Sequence, residues 1–169
     1  MTKKIWPAAI VAALFVCLAG TATASAQTRS ERIFIYDQGT LGGDQPTASL
    51  VTATGVVNAV GTDQFAPSQP GDPANLDRDI FVFPDGTLSV ATTKVVNEVI
   101  PTGPCTVELK MSGTFQITGG TGAYQGAHGS GTFTQHGIGI GAPLPGGGCS
   151  HTQGTYYIWG TDRGTLDIP

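Results

Sequence analysis

Charge is scarce in this chain, and positive charge scarcer still: eight Lys and Arg stand against twelve Asp and Glu in 169 residues. The basic residues form no cluster that could follow a phosphate backbone, so nucleic acid is a poor partner. A generic anionic membrane surface is equally unattractive to such a chain. Helix signals are also nearly missing. Beyond residue 27, no stretch of eleven or more residues carries an apolar stripe of helical period, while glycine and threonine recur throughout. Catalytic signatures are missing too. There is no Gly-x-Ser-x-Gly elbow and no recognisable Ser-His-Asp spacing, which argues against a hydrolase. The three histidines, His128, His136 and His151, fall in different segments, so neither a metal nor another cofactor is expected.

What the chain does have begins at its amino terminus. Lys3 and Lys4 precede an apolar run from Ile5 to Ala19, and Ala24-Ser25-Ala26 fits the small-x-small pattern of a signal peptidase site. Residues 1–26 therefore read as a signal peptide and 27–169 as one secreted domain. The run is shorter than the roughly 20 residues that cross a bilayer, so no stable membrane insertion of the mature chain is expected. Cleavage removes Lys3 and Lys4, leaving six basic residues against twelve acidic ones and a net charge of −6. It also removes Cys17. Cys105 and Cys149 remain, and in an oxidising compartment an even pair is expected to be bridged. Closing a loop of that size contributes roughly 4 kcal/mol in the chain-entropy account.

The clearest strand is 105–118. Cys105, Val107, Leu109, Met111, Phe115 and Ile117 share one phase, with polar residues in the other, which gives one buried and one wet face. Further strands are expected at 31–37, 48–60, 78–83, 87–100, 126–140 and 152–160, with a short one at 164–168. The longest connection is 61–77. Pro84-Asp85-Gly86 reads as a tight turn. Seven or eight strands with short links and no crossover helix imply antiparallel connectivity. The fold class expected is all-β: a single antiparallel eight-stranded β-barrel, calycin-like, with one disulfide. A sandwich explains the same alternation.

The segment Gly119-Gly120-Thr121-Gly122-Ala123-Tyr124-Gln125-Gly126-Ala127-His128-Gly129 resembles the Gly-Gly-Thr-Gly-x-Tyr-x-Gly-Ala-x-Gly segment of dirigent proteins and allene oxide cyclase-like barrels. Upstream, the stretch from Asp79 to Gly86 with Thr87-Leu88 is similar to the Phe-Pro-x-Gly-(Ser/Thr)-Leu element of the same families. The resemblance implies an eight-stranded barrel whose apolar cavity steers a cyclisation or a radical coupling by orientation rather than by a nucleophile. Read as residues alone, the glycines are a device for ending one strand and starting the next at close approach, with Tyr124 folded over the junction. A phosphate loop is disfavoured, because no Lys follows the glycines.

The candidate acid is Glu98, within a strand pattern, whose pKa burial would raise if it pointed inward. Tyr157 and Trp159 alternate with Tyr156 and Ile158, so only one pair faces inward, and the pattern does not choose between them. The candidate pocket wall is Tyr157 and Trp159 together with Phe115 and Met111. The partner expected is a small apolar molecule, with oligomeric state left open. The competing reading is a non-enzymatic secreted structural or protein-binding module with a packed interior.

Overall fold

The computed structural model describes residues 29–169; the signal peptide expected over 1–26 and its expected cleavage site lie outside the described residues. Eight strands follow one another: β1 (Arg29–Thr40), β2 (Ala48–Thr54), β3 (Ala59–Ala66), β4 (Leu76–Phe83), β5 (Gly86–Gly103), β6 (Thr106–Gly120), β7 (His128–Pro143) and β8 (Cys149–Asp167). A single 3-10 turn, Gly122–Tyr124, joins β6 to β7. Each strand pairs antiparallel with its chain neighbour, and β1 pairs with β8 from Arg29↔Leu166 to Thr40↔Thr155, so the hydrogen-bonded ring is closed. Among the described residues no helix is long and apolar enough to cross a membrane.

The period-two reading explains which side chains fill the ring. In β1, Glu31, Ile33, Ile35 and Asp37 are buried while Arg32 and Phe34 are exposed. In β6, Met111, Phe115 and Ile117 are buried, as their shared phase predicts. Ile33, Val51, Phe81, Leu88, Phe115 and Leu166 belong to one apolar core. That core sits toward the end of the ring where the β6–β7 turn lies.

The two sequence elements that carry the resemblance meet at this end. Thr121 N–H donates to the carbonyl of Thr87 at 2.9 Å, and Ala123 N–H to that of Asp85 at 2.8 Å. The Tyr124 ring packs edge-on against Phe83, with centroids 5.8 Å apart and planes at 81°. The amides of Tyr124, Gln125 and Ala127 also donate inside the turn. They present no row of free N–H groups to an anion, and the segment acts as a plug for the packed end. Glu31 serves the same end. Its Oε2 accepts the N–H groups of Val56 at 2.7 Å and Val57 at 3.1 Å, holding the β2–β3 connection.

Several expectations are corrected. The calycin-like barrel is replaced by a hydrogen-bonded ring of unequal strands, from seven residues in β2 to nineteen in β8. Its interior is not an apolar cup: one end is packed solid and the rest carries acidic side chains. The segment 48–60 is not one strand but breaks at Gly55. That residue has φ 141°, and a Cβ there would stand 2.3 Å from the carbonyl oxygen of Ser30, so the chain bends where only glycine fits. The second part runs on as β3 into the supposed long connection. Conversely, the segments 152–160 and 164–168 are one strand, β8, because Asp162 in the apparent gap keeps the inward phase of Tyr156 and Leu166.

The disulfide is formed, with Cα atoms 5.2 Å apart. It joins a strand start to a turn. Cys149 begins β8, but Cys105 occupies the turn before β6 with φ 58°, and Gly141 N–H donates to its carbonyl at 2.8 Å. The bridge therefore ties the β5–β6 tip to the β7–β8 tip across β7. Replacing both cysteines by serine is expected to cost about 2–4 kcal/mol of unfolding free energy, measured by urea titration. An unchanged midpoint would show that the strand pairing alone fixes these tips.

Candidate functional site: an interior cavity lined by carboxyls

Beyond the packed core, on the side of the β1–β2 and β3–β4 connections, the ring encloses a cavity of about 310 Å³. Its apolar wall includes Ile35, Phe65, Phe81, Met111 and Ile158. Into the same space project Asp37 from β1, Asp63 from β3, Asp79 from β4 and Asp162 from β8. Each shares the inward phase of apolar neighbours on its own strand: Asp37 follows Ile33 and Ile35, and Asp79 precedes Phe81 and Phe83. Asp77 and Lys94 pair where the cavity meets solvent, the Asp77 side chain being about half exposed.

The carboxyls form a connected group. Ser49 Oγ accepts the N–H of Asp63 at 2.7 Å, which leaves its own hydrogen for the carboxylate of Asp37, its cross-strand partner. Asp37 and Asp63 lie close enough within this group to act on each other, and two like charges so buried favour a proton on one of them. Burial above all, then the charges of Asp79 and Asp37, push Asp63 up to about 9. Burial also pushes Asp79 up to about 7, helped by Asp77 and Asp37 and opposed by Lys94. Asp162 rises to about 7, through burial and then the charge of Asp79. Asp37 is raised by burial, with the Ser49 and Asp63 hydrogen bonds acting against it.

Tyr156 completes the lining. A Cβ on Gly39 would stand 2.5 Å from the Tyr156 ring, so this glycine is the space into which the ring folds. Burial, followed by the charges of Asp37 and Asp63, pushes the phenol up to about 12. The Tyr156 hydroxyl and the Oδ1 atoms of Asp37, Asp63 and Asp162 are buried without a hydrogen-bond partner. Chemically, the site holds carboxyl protons at neutral pH and offers unused acceptor atoms to whatever enters. Among the described residues no group of three or more His, Cys, Asp or Glu is placed to hold a metal ion.

The residues singled out from sequence distribute unevenly. Met111 lines the cavity, whereas Phe115 is buried in the apolar core below it. Tyr157 and Trp159 face outward, with Trp159 at 37% exposure, and the opposite pair, Tyr156 and Ile158, faces the cavity. Strand β8 takes that phase because Asp162 and Leu166 share it. Glu98 is exposed on the outer part of β5, opposite Lys110 of β6, and does not reach the cavity. None of the four aspartates is singled out by the sequence analysis: Asp37 and Asp79 fall within expected strands without being assigned a role, Asp63 falls in the supposed connection 61–77, and Asp162 falls in the gap between two expected strands. Their signal was an acidic residue on the apolar phase of a strand.

No protein-family model, curated protein or solved structure matches the chain. The cavity itself is therefore the ground for a functional reading.

Proposed function

We propose that this is an exported protein that binds a small, mostly apolar molecule in the cavity within its ring. The observation that carries the reading is the cavity itself. At about 310 Å³ it lies at the lower end of the roughly 300–1,000 Å³ range of ligand pockets, and it combines an apolar wall with a few convergent polar groups. A protein serving only as a structural module would gain stability by filling such a space, and gains none from carboxyls held there without partners. Export is supported by the Cys105–Cys149 bridge, a bond that persists in oxidising compartments. Guided cyclisation or coupling would be a further step on the same platform, with Asp63 as a proton source beside the bound molecule. Binding is the part on which the geometry bears directly.

A small neutral solvatochromic naphthalene dye tests it. The wild-type protein is expected to shift the dye emission to the blue with a saturable titration. Met111→Trp adds bulk to the cavity wall and is expected to abolish the shift while leaving the circular dichroism unchanged. Water-like emission with the wild type, or equal shifts with both proteins, would refute the reading.

A further inference from the structure

Resting on the proposed ligand-binding role of the cavity, we infer that its ligand is an organic amine: an apolar body against Ile35, Phe65, Met111 and Ile158, with a protonated nitrogen held by Asp37, Asp63 and Asp162. The inference starts from the atoms that the fold leaves unused. Asp37, Asp63 and Asp162 are 3%, 6% and 3% exposed, and each has an Oδ1 atom without a partner. A buried carboxyl oxygen without a donor costs free energy that a donor-bearing ligand removes. An ammonium group has three N–H donors and no acceptor; its positive charge favours release to solvent of the protons these carboxyls hold in the empty cavity, and its hydrogen bonds to the resulting carboxylates are the stronger, charge-assisted kind.

The charge distribution favours a cation. Lys94 is the cationic side chain on the lining, and it is paired with Asp77 at the mouth. No ion pair among the described residues reaches Asp37, Asp63 or Asp162. A fatty acid or another anion would place its own acceptors against this group. A bare metal ion is a poor fit, because it needs ligands converging at bonding distance and no such set is present among the described residues. An organic cation makes no such demand: its nitrogen can bond one or two carboxyls while its carbon skeleton covers the opposite wall. The cavity volume, about 310 Å³, suits one small molecule rather than a long lipid chain.

Three probes of one shape separate the alternatives: 4-phenylbutylamine, 4-phenylbutan-1-ol and 4-phenylbutanoate, titrated calorimetrically near neutral pH into the disulfide-intact protein. The amine is expected to bind at least about tenfold more tightly than the alcohol, and the carboxylate to bind weakest. Asp162→Asn and, separately, Asp63→Asn are expected to weaken the amine by about tenfold while leaving the alcohol within about twofold. Binding of the alcohol by each variant shows that its cavity is intact. Equal binding of all three probes, or amine binding indifferent to both substitutions, would overturn the amine assignment and leave the ligand-binding role standing. Failure of every probe to bind would remove both.

Discussion

Between about pH 5 and about pH 9 the ligand-free protein is expected to lose several kcal/mol of unfolding free energy. The sign follows from the direction of the interior shifts. Asp63, Asp79 and Asp162 hold their protons in the folded state up to about 9, 7 and 7, whereas in the unfolded chain they release them near 3.8. Over that window the folded state binds more protons than the unfolded one, so stability falls as pH rises, and the loss is complete only above the highest folded value. Ser49, Lys94 and Tyr156 face the same group; the first two moderate the shifts of Asp37 and Asp79, and the phenol titrates above the window. Asp72 behaves in the opposite sense, held down to about 2 by the Arg78 guanidinium. Its contribution is present above 3.8 and fades only in strong acid. Urea midpoints measured across the range check the prediction, and Asp63→Asn is expected to flatten the slope and exceed the wild type in stability at pH 9. A midpoint that rises with pH would mean that the interior carboxyls are ionised and well solvated.

Phe81→Ala is expected to cost about 3–5 kcal/mol. Phe81 is 1% exposed and belongs to the apolar core while also lining the cavity, so its ring is the floor that separates the packed end from the hollow one. Removing it deletes apolar contacts and enlarges a space that the ring, hydrogen-bonded on every side, cannot close by collapsing. Val95→Ala is the control, since Val95 is 77% exposed on β5 and surface changes of this kind stay within about 0.5 kcal/mol. Equilibrium urea unfolding separates the two. A Phe81→Ala cost near that of the control would show that the core can relax around the missing ring.

Much of the ring was legible from alternation. The phase of β6 identified Met111, Phe115 and Ile117 as inward residues, and Pro84-Asp85-Gly86 marked the β4–β5 turn. Strand limits failed where local chemistry gave a misleading signal. Thr161-Asp162-Arg163-Gly164 has the composition of a turn, yet it continues β8 because both neighbouring strands, β1 and β7, supply partners along its whole length. Asp63 disappeared into a supposed connection for the same reason, and with it a quarter of the interior carboxyl group. Glu98 shows the opposite case: its candidacy as an acid depended on an inward orientation, but β5 overhangs the ring there, and Val95, Val96 and Val99 are exposed beside it. Alternation reports that a strand has two faces. Which face is inward depends on where the neighbouring strands end.

The closure of β1 on β8 also governs how this fold is reached. Arg29 pairs with Leu166, so the seam unites the two ends of the described chain and cannot zip until β2 through β7 are in place. Until then β1 and β8 are both unpaired edges, open to β strands of other molecules. Folding should therefore be slow for the chain's size and prone to association at high concentration. The seam is the step at which a chaperone or a low protein concentration would matter most.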